Sequence, residues 1–411
     1  MFSPLLVTGG PLVRELPKII SVDDHVIEPP NVWTDRLPSR YRDVGPRVER
    51  RKVSNLQFNG TTYTWDLDDE DGVETDFWVY EDLTVPHRRI IAAAGYPKDE
   101  VTLTPITYEQ MRPGCYEQKA RLEDMDINWV EASLSFPTFP RFCGQTFLEA
   151  KDRELAGLCV RAYNDWMVEE WSAGTGGRLI PLCIVPLWDV HEAAAEVRRN
   201  ADRGVHAVCF SEIPYHLGLP SVHDKDRYWD PFFAACEETD TVVCMHIGSS
   251  SKMPATSPDA SAAVQATLSF NNAMGSLSDF LFSGVLVRFP RLKLAYSEGQ
   301  IGWLPYILER ADDVWNQFRG WAFDRSLVPE PPSTYYRRQV YGCFFRDAHG
   351  LRSLDEIGVD NVTFETDYPH SDSTWPETKQ IAEAMFAELD DETVYKIVRG
   401  NAIEMLSLDF V

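Results

Sequence analysis

A chain of 411 residues with 44% hydrophobic content is long enough to bury a barrel-sized core with insertions, or the cores of two ordinary domains. Its formal charge of -25 repels nucleic acid and anionic membrane surfaces, so neither is expected as a partner, and the acidity reads as a solubility feature. No run of 18 apolar residues occurs, and MFSPLLVTGGPLVREL lacks the cationic start, long apolar stretch and small-residue site of a secretory leader, so a cytoplasmic protein is expected.

The first predicted strand, Ile19–His25, ends in Asp23-Asp24-His25. Asp23 and His25 stand two apart, so on a strand both side chains point to one face, as two ligands from a single strand must. Glu28 follows in HVIEPP and is expected to hydrogen-bond a ligand or to cap the loop. The interval from Tyr41 to Lys119 then breaks the pattern. Within RVERRKVSNLQFNGTTYTWDLD, an NG between arms of alternating polarity signals a hairpin, and an acidic, aromatic and proline-containing stretch after it reads as irregular. Together they form an insertion, residues 41–119, expected to cover the site as a lid or to serve an oligomer contact.

From about residue 129 onward, short apolar runs alternate with amphipathic stretches, the βα rhythm of a parallel sheet. Strands are expected at Trp129–Phe136, Leu179–Pro186, Ala207–Ile213, Thr241–Gly248, Leu292–Gly299, Val340–Phe345 and Val362–Pro369, which with the first makes eight. Helices are expected at Glu154–Trp171, His191–Asn200, Trp229–Glu238, Ala262–Phe282, Gly302–Phe318 and Glu377–Ala387. Eight repeats with no GxGxxG after any strand favour a single-domain (β/α)8 TIM barrel over a doubly wound open sheet.

Strand ends carry the chemistry. His246 closes TVVCMH, and the polar, proline-containing stretch Gly248–Ser261 after it reads as a long loop at the same face. Asp367 follows VTFET, where a buried carboxylate is costly without a cation or hydrogen-bond partners. Imidazole and carboxylate bind divalent transition metals, and ligands from the ends of different strands converge at one end of a barrel. Arg141, after the second strand, and Arg346, after the seventh, are placed to clamp a substrate carboxylate. His370 is expected to donate to a ligand or to line the loop. The eight cysteines include no CxxC pair, and those inside predicted strands read as small apolar fillers.

DDHVIEPPNVW, RFPRLKLAYSEGQIGWLPYILERAD, TDYPHSDSTWP and GNAIEML occur in that order. With these motifs the chain resembles the amidohydrolase-related family often called amidohydrolase 2, which includes aminocarboxymuconate semialdehyde and γ-resorcylate decarboxylase types. The resemblance implies a distorted (β/α)8 barrel with one divalent metal, zinc or manganese, acting on a small molecule, and it favours a homodimer or higher assembly. It matches Asp23 and His25 to the first-strand ligand pair, His246 to the strand-five histidine and Asp367 to the strand-eight aspartate. Many relatives carry histidine where this chain has Glu298, and a carboxylate works as acid–base partner near neutral pH only if its pKa is raised. Relatives that bind two metals have a strand-four lysine, absent from AVCFSEIP.

Two reactions share these parts. In a decarboxylase, the favoured reading, Asp367 delivers a proton to carbon as carbon dioxide leaves a carboxylic acid. In a hydrolase, Asp367 takes a proton from water that attacks an amide, ester or lactone. A third reading, a catalytically inactive binding barrel, would show lost ligands. All four are present.

Overall fold

Every residue of strand β1 (Ile19–Val26) is buried, including both aspartates and the histidine of its DDH. Such burial on both faces is expected of a parallel strand covered by helices and by other strands. The structure, a computed structural model, describes residues 15–58 and 63–410, so the N-terminal Met1–Arg14 and the Asn59-Gly60 of the hairpin signal lie outside the described residues.

After β1 the chain builds a four-stranded antiparallel sheet from β2 (Arg47–Phe58), β3 (Tyr63–Leu67), β4 (Val73–Tyr80) and β5 (Leu83–Pro86), in the order β3-β2-β4-β5. The stretch expected to be irregular therefore holds two further strands. Phe77-Trp78-Val79-Tyr80 supplies strongly strand-forming residues, and Phe77 and Val79 pack on Val53 of β2. Helix α1 (Gln118–Ile127) then leads into β6 (Val130–Pro137), which pairs parallel with β1.

Two parallel sheets follow from the remaining strands. One has the order β1-β6-β7, with β7 at Leu179–Ile180. The other has the order β12-β11-β10-β9-β8, with β8 at Ala207–Cys209, β9 at Val242–His246, β10 at Leu294–Ser297, β11 at Val340–Phe344 and β12 at Val362–Phe364. Backbone hydrogen bonds cross both seams. On one side Cys183 N donates to Ala207 O (3.1 Å) and Cys209 N to Cys183 O (2.8 Å). On the other, His25 N donates to Tyr368 O (2.6 Å) and Asp367 N to Asp23 O (2.9 Å). The fold is α/β with parallel sheets.

Several strands are shorter than their apolar runs. β7 stops at Ile180 because Pro181 has no N–H to give a ladder, and β12 stops at Phe364, which leaves Glu365–Asp367 as a connecting segment. The helix expected over Ala262–Phe282 is split into Ala262–Thr267 and Asn271–Ser283. At the break Thr267 Oγ1 donates to Ala263 O and Ser269 Oγ to Ala266 O, side-chain bonds that compete with the helical ladder.

Candidate metal centre

Four side chains from three strand ends meet in the interior. His25 Nε2 lies 3.2 Å from His246 Nε2, 3.7 Å from Asp23 Oδ1 and 3.6 Å from Asp367 Oδ1. His246 Nε2 lies 3.4 Å from Asp23 Oδ2 and 3.7 Å from Glu298 Oε2. These residues fall into two overlapping groups with metal-ligand spacing, Asp23–His25–His246 and His25–Glu298–Asp367–His370. None of the four carboxylate oxygens of Asp23 and Asp367 has a hydrogen-bond partner, although all are buried. Orphaned carboxylate oxygens in a dry interior are costly, and a divalent cation among them would remove the cost. The residues present fit such an ion.

Electrostatics and tautomers point the same way. Burial, reinforced by Glu365, Glu298 and Asp367, pushes the Asp23 carboxyl well above the usual range, and burial with Glu365 does the same to Asp367. Burial brings Glu365 to about 7 and holds His246 down to about 3; His25 is likewise lowered well below its ordinary value, so both imidazoles are neutral. His246 Nδ1 faces Ile247 O at 2.7 Å and so carries the proton, which leaves the Nε2 lone pair toward the cluster. Asp367 and Glu298 both adopt left-handed backbone (φ 53° each), a strained conformation for residues with a Cβ.

Asp24 points to the opposite side of β1 from its neighbours. Its carboxylate accepts from Ser21 Oγ (3.1 Å), Thr366 Oγ1 (2.6 Å), Tyr368 N (3.0 Å) and Ser133 Oγ, which ties β1 to β6 and to the segment after β12. His370 stacks on His25 (centroids 3.7 Å apart) with Nδ1 3.1 Å from Asp367 Oδ1. Phe142 stacks on the His246 ring at 4.2 Å and 12°. Gly248 lets it do so: φ is +85°, and a Cβ there would stand 2.9 Å from Phe142 Cε2.

Two of the remaining expected site residues, Glu28 and Arg141, have partners outside the cluster. Both oxygens of the fully buried Glu28 accept backbone N–H bonds, from Thr138 (2.8 Å) and Phe139 (2.9 Å), so it anchors the loop after β6. Arg141 bonds Glu149 (2.8 Å) and Ser251 Oγ (2.5 Å), and exposed Arg346 reaches only Asp372 O at 3.3 Å. Another arginine went unnoticed in the sequence. Arg88, just after β5, has a buried Nε without a partner, lies over the Tyr63 ring at 4.1 Å, and has no carboxylate within ion-pairing distance among the described residues. Its charge reaches His370 and helps to lower that imidazole's pKa, a minor cause beside burial. Glu212, beyond β8, was also missed. It accepts from Gly248 N (3.1 Å), Ser250 Oγ (3.1 Å) and Asn272 Nδ2 (2.9 Å) and so pins the loop that follows His246.

A family model described as amidohydrolase matches residues 37–408. The chain belongs to the amidohydrolase family. Among solved structures, an amidohydrolase from Mycobacterium avium subsp. paratuberculosis K-10 is similar at 22% identity and TM-score 0.69, over 95% of this chain and 99% of that one. A 5-carboxyvanillate decarboxylase from Sphingomonas paucimobilis is similar at 18% identity and TM-score 0.57, with the same coverage of 95% and 99%. A dihydroxybenzoic acid decarboxylase from Polaromonas sp. JS666, whose structure holds manganese and the inhibitor 2-nitroresorcinol, is similar at 20% and TM-score 0.59, over 79% of this chain and 94% of that one. At these identities the likeness to solved structures is one of fold.

Proposed function

We propose that this member of the amidohydrolase family is a mononuclear metal-dependent enzyme that removes carbon dioxide, without oxidation, from an aromatic or unsaturated carboxylic acid. The metal part rests on the convergence of the unpartnered Asp23 and Asp367 oxygens with His25 and His246 Nε2. Those four would hold one zinc or manganese ion, since a mixed carboxylate–imidazole set suits either. When bound, the cation supplies positive charge that offsets the buried carboxylates and draws electron density from a substrate oxygen. The hydrogen bonds across both seams support reading the eight parallel strands as one closed barrel, with residues 41–119 as an insertion over its mouth in a single domain.

Arg88 supports the carboxylic acid substrate. A partly buried guanidinium with no carboxylate within ion-pairing distance among the described residues, whose charge acts on His370, offers two parallel N–H donors to an incoming carboxylate. Asp367 then acts as acid. Without the metal, burial and Glu365 favour its protonated form, and His370 Nδ1 stands 3.1 Å from its Oδ1. As the bond to the departing carboxylate breaks, its electron pair stays on the substrate carbon, which takes the Asp367 proton while carbon dioxide leaves. Glu298, with a 15% exposed side chain, returns a proton from solvent to the cluster.

The same Glu298 favours one competing reading, in which it and Asp367 take a proton from water that attacks an amide, ester or lactone. The two readings part cleanly in solution. A panel of aromatic and unsaturated carboxylic acids in deuterated water is expected to release carbon dioxide and to give product with one deuterium at the vacated carbon. Ester, amide or lactone cleavage without carbon dioxide would overturn decarboxylation in favour of hydrolysis.

A further inference from the structure

Arg121 is fully buried in the middle of α1, and its side chain touches two of the strand ends that carry the proposed ligands. Its Nη2 donates to the backbone carbonyl of His25 (2.5 Å) and its Nε to that of Gly114 (2.7 Å). The guanidinium plane lies over the rings of Tyr368 at 4.4 Å and Trp171 at 5.1 Å. No carboxylate stands within ion-pairing distance of it among the described residues, and its Nη1 has no partner. A buried guanidinium is costly to desolvate, so packing alone would favour an apolar side chain here.

Tyr368 is held from four directions. Its N–H donates to Asp24 Oδ1 (3.0 Å), its carbonyl accepts from His25 N (2.6 Å), its hydroxyl donates to Asp124 Oδ2 (2.6 Å), and its ring lies under Arg121. Asp124, one turn beyond Arg121 on α1, is itself held by Arg112 through Nε (2.8 Å) and Nη2 (2.6 Å). Helix α1 thus grips β1 beside His25 and the β12 side beside Asp367.

We infer that Arg121 is a positioning residue of the metal centre, fixing the distance between the His25 imidazole and the Asp367 carboxylate through the His25 carbonyl and the Tyr368 ring. The inference rests on the metal reading above. It places a determinant of metal affinity on a helix that contributes no ligand, and it makes the segment from Arg112 to Asp124 part of the centre. Arg121 touches no substrate and moves no proton. It acts through the two residues it holds.

The test uses the full chain with Mn2+ as probe. It compares wild type with Arg121→Lys, Arg121→Met and Tyr368→Phe, the last removing only the hydroxyl that bonds Asp124. Three quantities are read: Mn2+ affinity by competition with a chelator, the electron paramagnetic resonance signal of bound Mn2+, and the melting temperature of the metal-free protein. Loss of a group that orients metal ligands typically costs roughly 10- to 100-fold in affinity. That loss, with a changed resonance signal, is expected for both Arg121 variants, and a smaller shift in the same direction for Tyr368→Phe. A lower metal-free melting temperature with wild-type affinity and signal would make Arg121 a packing residue and overturn the inference. If both Arg121 variants fail to fold, Tyr368→Leu, which removes the ring that Arg121 lies over, decides on the same two readouts. Wild-type protein that binds no divalent ion overturns the metal reading and this inference together, whereas unchanged affinity in variants of a metal-binding wild type overturns the inference alone.

Discussion

Asp23 and Asp24 are neighbours of the same type, both buried, and they do opposite work. Asp24 has donors from three chain segments and serves as a rivet, whereas both oxygens of Asp23 are free of hydrogen bonds and face two imidazoles. Strand alternation separates them. A similar contrast divides the arginines: Arg141 is committed to Glu149 and Ser251, whereas Arg88 lies over the Tyr63 ring with no carboxylate within ion-pairing distance among the described residues. The consequence is measurable once a carboxylic acid substrate is in hand. A charged hydrogen-bond pair is worth about 1.5–3 kcal/mol, so Arg88→Met should raise KM roughly 10- to 100-fold, with Arg88→Lys in between, and Arg141→Met should leave it near wild type. Equal effects in steady-state kinetics would remove Arg88 from its role. Asp367→Asn should lower kcat by about 10²–10⁴, the usual worth of a positioned acid, with the far-ultraviolet circular dichroism unchanged.

At the scale of elements, the loop after His246 depends on one carboxylate. Glu212 holds Gly248 and Ser250, and burial raises its pKa from 4.5 to about 7. Because the folded value lies above the unfolded one, Glu212 binds more protons in the folded state between pH 4.5 and 7, so its contribution to stability is fully present below 4.5 and is lost as pH rises to about 7. Glu212→Gln removes this dependence. The melting temperature of the variant minus that of wild type should climb across this window and level off above it, by an amount equivalent to about 3 kcal/mol. A flat difference would mean that the carboxylate is already ionised in the folded protein. Much of this organisation was readable from the sequence. His25, His246 and Asp367 each follow an apolar run, and a run of that length implies a buried strand whose end carries the site. The partners that hold those ends were not readable. Glu212 and Glu365 look like ordinary charged residues in expected strands, Arg121 lies where no helix was expected, and only the packing of distant segments makes them interior. The antiparallel sheet was half visible, since acidic residues flank Phe77-Trp78-Val79-Tyr80 and mask its strand character. Arg88 is placed by that sheet and could not be located without it.

At the scale of the whole molecule, four buried carboxyls meet where the parallel strands end. Asp23, Glu298, Glu365 and Asp367 share one interior region, where Asp24 and Asp372 add further carboxylates and the His25 and His246 imidazoles are neutral. Such a cluster destabilises the folded chain unless protons or a cation neutralise it. A ligand that binds only the folded state at 100 times its dissociation constant adds about 2.7 kcal/mol, so stripping the metal should lower the melting temperature by several degrees and adding it back should restore it. The most direct measurement is elemental analysis of the purified protein, wild type beside Asp23→Asn and His246→Ala. About one zinc or manganese ion per wild-type chain, and a large loss from both variants, is the expected result. A wild-type chain with no stoichiometric divalent metal, or variants that retain it in full, would contradict the assignment of the centre.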